Sequence, residues 1–194
     1  MKAIRFILKQ LPSYRIAIIS TSILLITSCA KDPDTFTALN IGQEHQGGII
    51  FYLTDATKQH GFIVAKSGWN GTADDPKAVW GCSGTNITGA EGQNVGTGFQ
   101  NTKDIVTAGC NGAGKACSDL NLNSYSDWFL PSVEELKLIM QFNGSVDLGL
   151  KPGVLYFSSS ENGTGANAVA SDEPYSQENA DKADELYYRP IRSF

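Results

Sequence analysis

Tyr125-Ser126-Asp127-Trp128-Phe129-Leu130-Pro131-Ser132-Val133-Glu134-Glu135-Leu136 contains the start of the clearest helix on this chain. Ser132 is a favourable N-cap, and Glu135 three residues on completes a capping box, in which each residue's side chain takes the other's backbone N–H. Leu136, Ile139 and Met140 fall on one face at helical spacing, and Asn143-Gly144 closes the segment. The spacing predicts a helix over 133–142. Trp128, Phe129 and Leu130, just upstream, read as core. A helix with one apolar face needs a sheet or another helix to cover it.

The sheet is found by reading outward. Gly48-Ile49-Ile50-Phe51-Tyr52-Leu53 and Gly61-Phe62-Ile63-Val64-Ala65 are apolar runs of strand length around the polar connection 54–60. They predict a hairpin whose strands are buried on both faces or nearly so. Later strands are expected at 155–159, 168–170 and 187–192, and shorter helices at 102–108 (capped by Asn101 or Thr102) and 115–120. The fold class is α+β. Segment 171–185 carries Asp172, Glu173, Glu178, Asp181, Asp184 and Glu185 with little apolar content, and reads as a solvated loop.

Residues 66–100 differ from everything around them. Glycines 68, 71, 81, 84, 89, 92, 96 and 98 alternate with Asn, Thr, Asp and Ser, and Ala78-Val79-Trp80 alone reads as a strand. A loop this long inside a compact domain is uncommon and is often functional. Trp69, Trp80, Val95 and Phe99 can fasten it to a core.

The N-terminal end reads as an export signal. Lys2, Arg5, Lys9 and Arg15 precede the apolar run 16–26, and Thr27-Ser28 supply small residues at a cleavage point. The run is shorter than the roughly 20 apolar residues of a spanning helix. Cys29 directly after it resembles a bacterial lipobox, which implies lipidation at Cys29 and anchoring to the outer membrane. The reading divides the chain into a signal peptide (1–28), a tether (29–39) and one domain (40–194). The acidic content of the tether resembles the export signals of Bacteroidetes surface lipoproteins. Removing 1–28 takes four of the 15 Lys and Arg and none of the 20 Asp and Glu, so the net charge moves from −5 to −9. A chain this acidic is a poor partner for nucleic acid and for strongly anionic polysaccharides.

Cys82, Cys110 and Cys117 remain after Cys29, and an exported chain tolerates a disulfide. Three pairings exist. Cys82–Cys110 is favoured, which leaves Cys117 as a small buried hydrophobe in a helix. A zinc site is not indicated, because no C-x-x-C pair occurs and His45 and His60 lie far upstream.

Several blocks together resemble one family. They are residues 42–53, Trp80-Gly81-Cys82-Ser83-Gly84-Thr85, residues 96–102, the Tyr125–Ser132 block with Glu135-Leu136, Tyr156-Phe157-Ser158-Ser159-Ser160-Glu161 and Arg189-Pro190-Ile191-Arg192-Ser193-Phe194. The chain resembles, from about Ile41 to Phe194, the Lcl C-terminal-type domain of collagen-like bacterial adhesins, a domain also found in Fibrobacter and Bacteroidetes surface proteins. The resemblance implies a C-type lectin-like fold whose first and last strands pair and whose long loop region lies at the opposite end. This chain departs from the pattern in lacking a Gly-X-Y repeat and in carrying Phe157 where the family commonly has Trp. Its acidity also argues against the basic patches that glycosaminoglycan binding needs.

No catalytic pattern emerges. Gly81-Cys82-Ser83-Gly84 misses the G-x-S-x-G spacing, Gly96-Thr97-Gly98 lacks the lysine of a phosphate loop, and no acid pair stands out for glycoside hydrolysis. The chain is read as a non-enzyme. The expected function is binding of an extracellular glycan, as an adhesin or accessory module, with surface protein–protein contact or a structural role as the alternative. Trp69-Asn70 with Asp74 and Asp75 places an aromatic beside sugar-binding amide and carboxylate groups, and Glu161-Asn162 is a second candidate. A Ca²⁺ ion needs about six to eight oxygens, so these acids would serve one only if the fold joined their loops. The plainer reading makes Trp69 and Trp80 loop anchors and the acids solvated.

Overall fold

The computed structural model describes residues 37–194. Cys29, the signal segment 1–28 and the tether up to residue 36 lie outside the described residues. In chain order the elements are β1 (Glu44–His45), β2 (Gly48–Leu53), β3 (Gly61–Ala65), β4 (Lys77–Ala78), α1 (Gly98–Thr107), α2 (Ala113–Ser118), α3 (Val133–Asn143), β5 (Leu155–Asn162), β6 (Gly165–Ala170), β7 (Gln177–Asp181), β8 (Leu186–Tyr187) and β9 (Ile191–Ser193). They form a mixed α+β structure with one sheet ordered β1-β2-β3-β9 and another ordered β4-β8-β5-β6-β7.

The expected hairpin is present. Strands β2 and β3 pair antiparallel with Ile49 opposite Val64. All of β3 is buried, which explains why its sequence is apolar without alternation. The last strand departs from what the resemblance implied. It pairs with β3, Val64 opposite Ile191, and not with the first strands. Ile49 and Ile191 therefore flank Val64 on its two sides within one sheet.

Helix α3 joins the two sheets. It packs against β2 of the first and against β5 and β6 of the second. Its buried face is Val133, Leu136, Ile139 and Met140, within a cluster that includes Phe51, Phe62, Val64, Phe129 and Ile191. The capping box forms as predicted: Glu135 N–H donates to Ser132 Oγ at 3.3 Å, and Ser132 N–H donates to Glu135 Oε2 at 2.7 Å. Glu135 also reaches out of its own helix, accepting the Gly96 N–H at 2.7 Å. Burial raises its carboxyl above the ordinary range, and these N–H donors pull the other way.

Other boundaries moved too: the helix expected at 115–120 is Ala113–Ser118, and the strands expected at 155–159 and 168–170 are Leu155–Asn162 and Gly165–Ala170. Helix α1 starts at Gly98, ahead of the expected 102, because Gly96-Thr97-Gly98 reads locally as loop. Gly98 is there for contact: a Cβ would run into Glu135 Oε2 and the Ser132 N–H. Segment 171–185 is not all loop, since β7 pairs with β6 along Gln177–Asp181. Its composition hid it, because Gln177, Glu178, Asn179 and Asp181 face solvent at the sheet edge and only Ala180 turns inward. The single strand expected over 187–192 is split between the sheets by Tyr188-Arg189-Pro190. Cys82 and Cys110 form the favoured disulfide, with Cα atoms 5.1 Å apart, and Cys117 is free and buried in α2.

Glu135→Ala removes the acceptor for both Ser132 and Gly96 N–H, and is expected to lower unfolding free energy by about 3 kcal/mol. Glu134→Ala loses only the surface pair with Lys137, and should change it by about 0.5 kcal/mol or less. Urea denaturation of the two variants checks the difference.

Candidate functional site

Of the acids singled out in the sequence, Asp75 and Glu161 are buried and held by protein donors. Asp75 Oδ1 accepts from Trp69 Nε1 and Arg189 Nε, both at 2.7 Å, while Oδ2 accepts the Tyr156 hydroxyl at 2.9 Å. Arg189 in turn donates to the carbonyls of Ala65 (2.8 Å) and Leu148 (3.0 Å). Burial, then the Asp75 charge, pushes the Tyr156 hydroxyl well above the usual tyrosine range, so it stays a donor. Glu161 accepts the Ile87 N–H on both oxygens, at 2.7 and 2.9 Å, and pairs with Lys182, whose ammonium lies 4.5 Å from the centre of the Trp80 ring. Neither carboxylate faces solvent.

The remaining candidates are surface groups. Asn70 closes a local turn through Thr72 Oγ1 and the Asp74 carbonyl, and Asp74 lies 3.6 Å from Lys151. Asn162 is exposed at the end of β5. The fold keeps the two groups of residues apart. Tyr156, which touches Asp75, precedes Glu161 by five positions on β5, about 16 Å of strand. The joint calcium site that Asp74, Asp75, Glu161 and Asn162 would have made is therefore not assembled. Among the described residues no cluster of His, Cys, Asp or Glu is arranged to hold a metal ion.

Trp69 has both an anchoring and a surface role. Its indole N–H is bound to Asp75 and its edge meets Tyr188 at 5.8 Å between ring centres, yet the residue is only half-buried. Its free surface lines a hollow of about 190 Å³ with Ser67, Gly68 and Leu122. That hollow adjoins a groove of about 480 Å³ lined by Glu44, His45, Gln46 and Tyr125, and both share Gly47, Lys66 and Asn123. This surface is the candidate site.

Arg192 on β9 positions its wall. The guanidinium grips Asp127 through Nε (2.6 Å) and Nη2 (2.8 Å), donates to Gln46 Oε1, and lies 4.0 Å from the centre of the Tyr125 ring. Arg192 also depresses the Asp127 carboxyl below the ordinary range, first through the hydrogen bonds and then through its charge. His45 is held below its ordinary pKa by burial and then by the Arg192 charge, which leaves a neutral imidazole in the groove. Asn123 donates one amide hydrogen to the Gly47 carbonyl at 3.1 Å, and Lys66 pairs with Glu44 at 3.0 Å. Gln46, Asn123 and Ser124 all adopt left-handed backbone at φ +43°, +54° and +68°. Conformations of that kind cluster where a surface is shaped for use.

Sequence reasoning found Trp69 and missed Gln46, Asn123 and Tyr125. The Gln46-Gly47 and Asn123-Ser124 dipeptides carried a turn signal, but nothing local shows that the two turns meet. No protein-family model matches the chain, and a search of curated proteins found no match.

Two outcomes follow. Asp75→Asn leaves Arg189 buried without its counter-ion and should cost about 3–5 kcal/mol in chemical denaturation. The Asp127 contribution to stability is complete above the ordinary carboxylate pKa of about 3.9 and is lost as pH falls through the depressed folded value. The melting-temperature gap between wild type and Asp127→Asn should therefore hold steady from neutrality to about pH 4 and close below it.

Proposed function

We propose that this chain is a lipid-anchored bacterial surface protein, with a C-type lectin-like domain of the Lcl C-terminal type, that binds an extracellular glycan in the groove between the Gln46-Gly47 and Asn123-Ser124 turns. One observation carries this reading. Arg192 holds an aromatic ring and an amide of the groove lining together, with Tyr125 4.0 Å away on the guanidinium and Gln46 hydrogen-bonded to it, while Asp127 fixes the guanidinium. Sugars are recognised by that pairing of a flat apolar face for C–H patches with fixed amides for hydroxyls. A groove of about 480 Å³ is of ordinary ligand size. Among the described residues that line it, Lys66 is paired with Glu44. The lipobox-like Cys29 would place the groove outside the inner membrane. No described helix is long and apolar enough to cross a membrane.

A contact between proteins is the second reading, and Phe99 favours it. This side chain is 53% exposed beside a cleft of about 160 Å³ lined also by Val106, Trp128 and Phe129. A glycan array probed with the purified protein, with and without EDTA, separates the two. Binding that survives EDTA and falls at least about tenfold in Tyr125→Ala, with Tyr125→Phe near wild type and Phe99→Ala unchanged, is the outcome expected of the glycan site, a tenfold loss being about 1.4 kcal/mol. An array without hits, with a surface partner lost in Phe99→Ala, replaces it.

A further inference from the structure

We infer that the groove has two subsites and takes a linear, uncharged oligosaccharide in preference to a single sugar, an inference that rests on the glycan reading above. The two adjoining hollows each contain one aromatic side chain, Tyr125 in the larger and Trp69 in the smaller. Their common floor is Gly47, Lys66 and Asn123. Gly47 lets the two turns meet: it sits at φ +89°, and the Asn123 side chain packs so close to its backbone that a Cβ there would lie 2.7 Å from Asn123 Nδ2 and 2.8 Å from Asn123 Cβ. A ligand that spans the floor meets an aromatic surface at each end and the Asn123 amide between them. A lone ring satisfies one end only.

The charge on this surface sets the ligand class. Lys66 is neutralised by Glu44 at 3.0 Å, and Arg192 by Asp127 at 2.6 and 2.8 Å. Each cation already has its carboxylate, so the surface carries no net positive charge to draw a sulfate or uronate. Neutral hydroxyls need no such charge.

Titration calorimetry of the full mature protein in detergent, against malto-, cello- and manno-oligosaccharides of one to four units and a heparin-derived disaccharide, tests this. The expected result is at least tenfold tighter binding of one neutral disaccharide than of its monosaccharide, with the heparin disaccharide weaker than both. Ser67→Tyr, at an exposed position in the Trp69 hollow, should remove the disaccharide gain, so that the variant binds one and two units with equal affinity. Trp69→Phe, which retains the ring, should keep part of the gain. Equal affinity for one and two units, a gain that survives Ser67→Tyr, or preference for the heparin disaccharide overturns the two-subsite inference while the glycan reading stands. Absence of binding by every saccharide in the panel overturns both.

Discussion

Residues 66–97 form a long, glycine-dense segment with almost no regular structure, and its buried backbone N–H and C=O groups must be satisfied from within the protein. Buried carboxylates supply part of that. Glu135 accepts the Gly96 N–H and Glu161 takes the Ile87 N–H, while Asp75 holds Trp69 and Arg189 together at the segment's start. An unpaired N–H in these positions would carry a desolvation penalty of about 1–3 kcal/mol each. The acids therefore help to order a polar, glycine-rich sequence, alongside backbone pairs such as Trp80 N–H to the Lys182 carbonyl and the Cys82–Cys110 bridge.

Strand β5 completes the same task from the other side. Its run Ser158-Ser159-Ser160-Glu161 is fully buried, unusual for polar residues in a strand interior. Ser159 N–H reaches the Pro131 carbonyl, Ser160 Oγ donates to Gly92 O and accepts the Val133 N–H, and Glu161 N–H donates to Ala90 O. Trp80 adds its indole N–H to the Ser158 carbonyl at 2.9 Å. One edge of the strand thus pairs with β6 while its small hydroxyls stitch the loop to the start of α3. Serine suits this position because its side chain is short enough to let two backbones approach and still bonds both.

What could be read in the sequence follows from range. The β2–β3 hairpin and α3 are written in local periodicity and capping, and both were found. Strand β7 was not, because an edge strand with one inward residue has no period to detect. The start of α1 was missed because Gly98 is set by contact with Glu135, which lies far along the chain. The same reason governs the site. Trp69-Asn70-Asp74-Asp75 has the composition of a binding loop, but whether Asp75 faces solvent depends on Arg189, more than a hundred residues away. Buried ion pairs of this kind leave no local signature, since each partner alone looks like a surface charge. The Cys82–Cys110 bridge was legible as a preference among few options, not as a contact.

The groove and the fold share one register. Arg192 stands opposite Ile63 in the β3–β9 pairing, beside Ile191, which is buried opposite Val64. Side chains alternate along a strand, so a slip of one residue would turn Ile191 to the groove and Arg192 into the core cluster of Phe62, Phe129 and Leu136. The hydrophobic requirement at Ile191 therefore fixes where Arg192 points, and Arg192 fixes Gln46, Asp127 and Tyr125. Phe129 reinforces that register by bridging to Ile191 through N–H donors at 2.8 and 3.0 Å. A surface built from irregular turns acquires its definition from the one strand whose position the core cannot exchange.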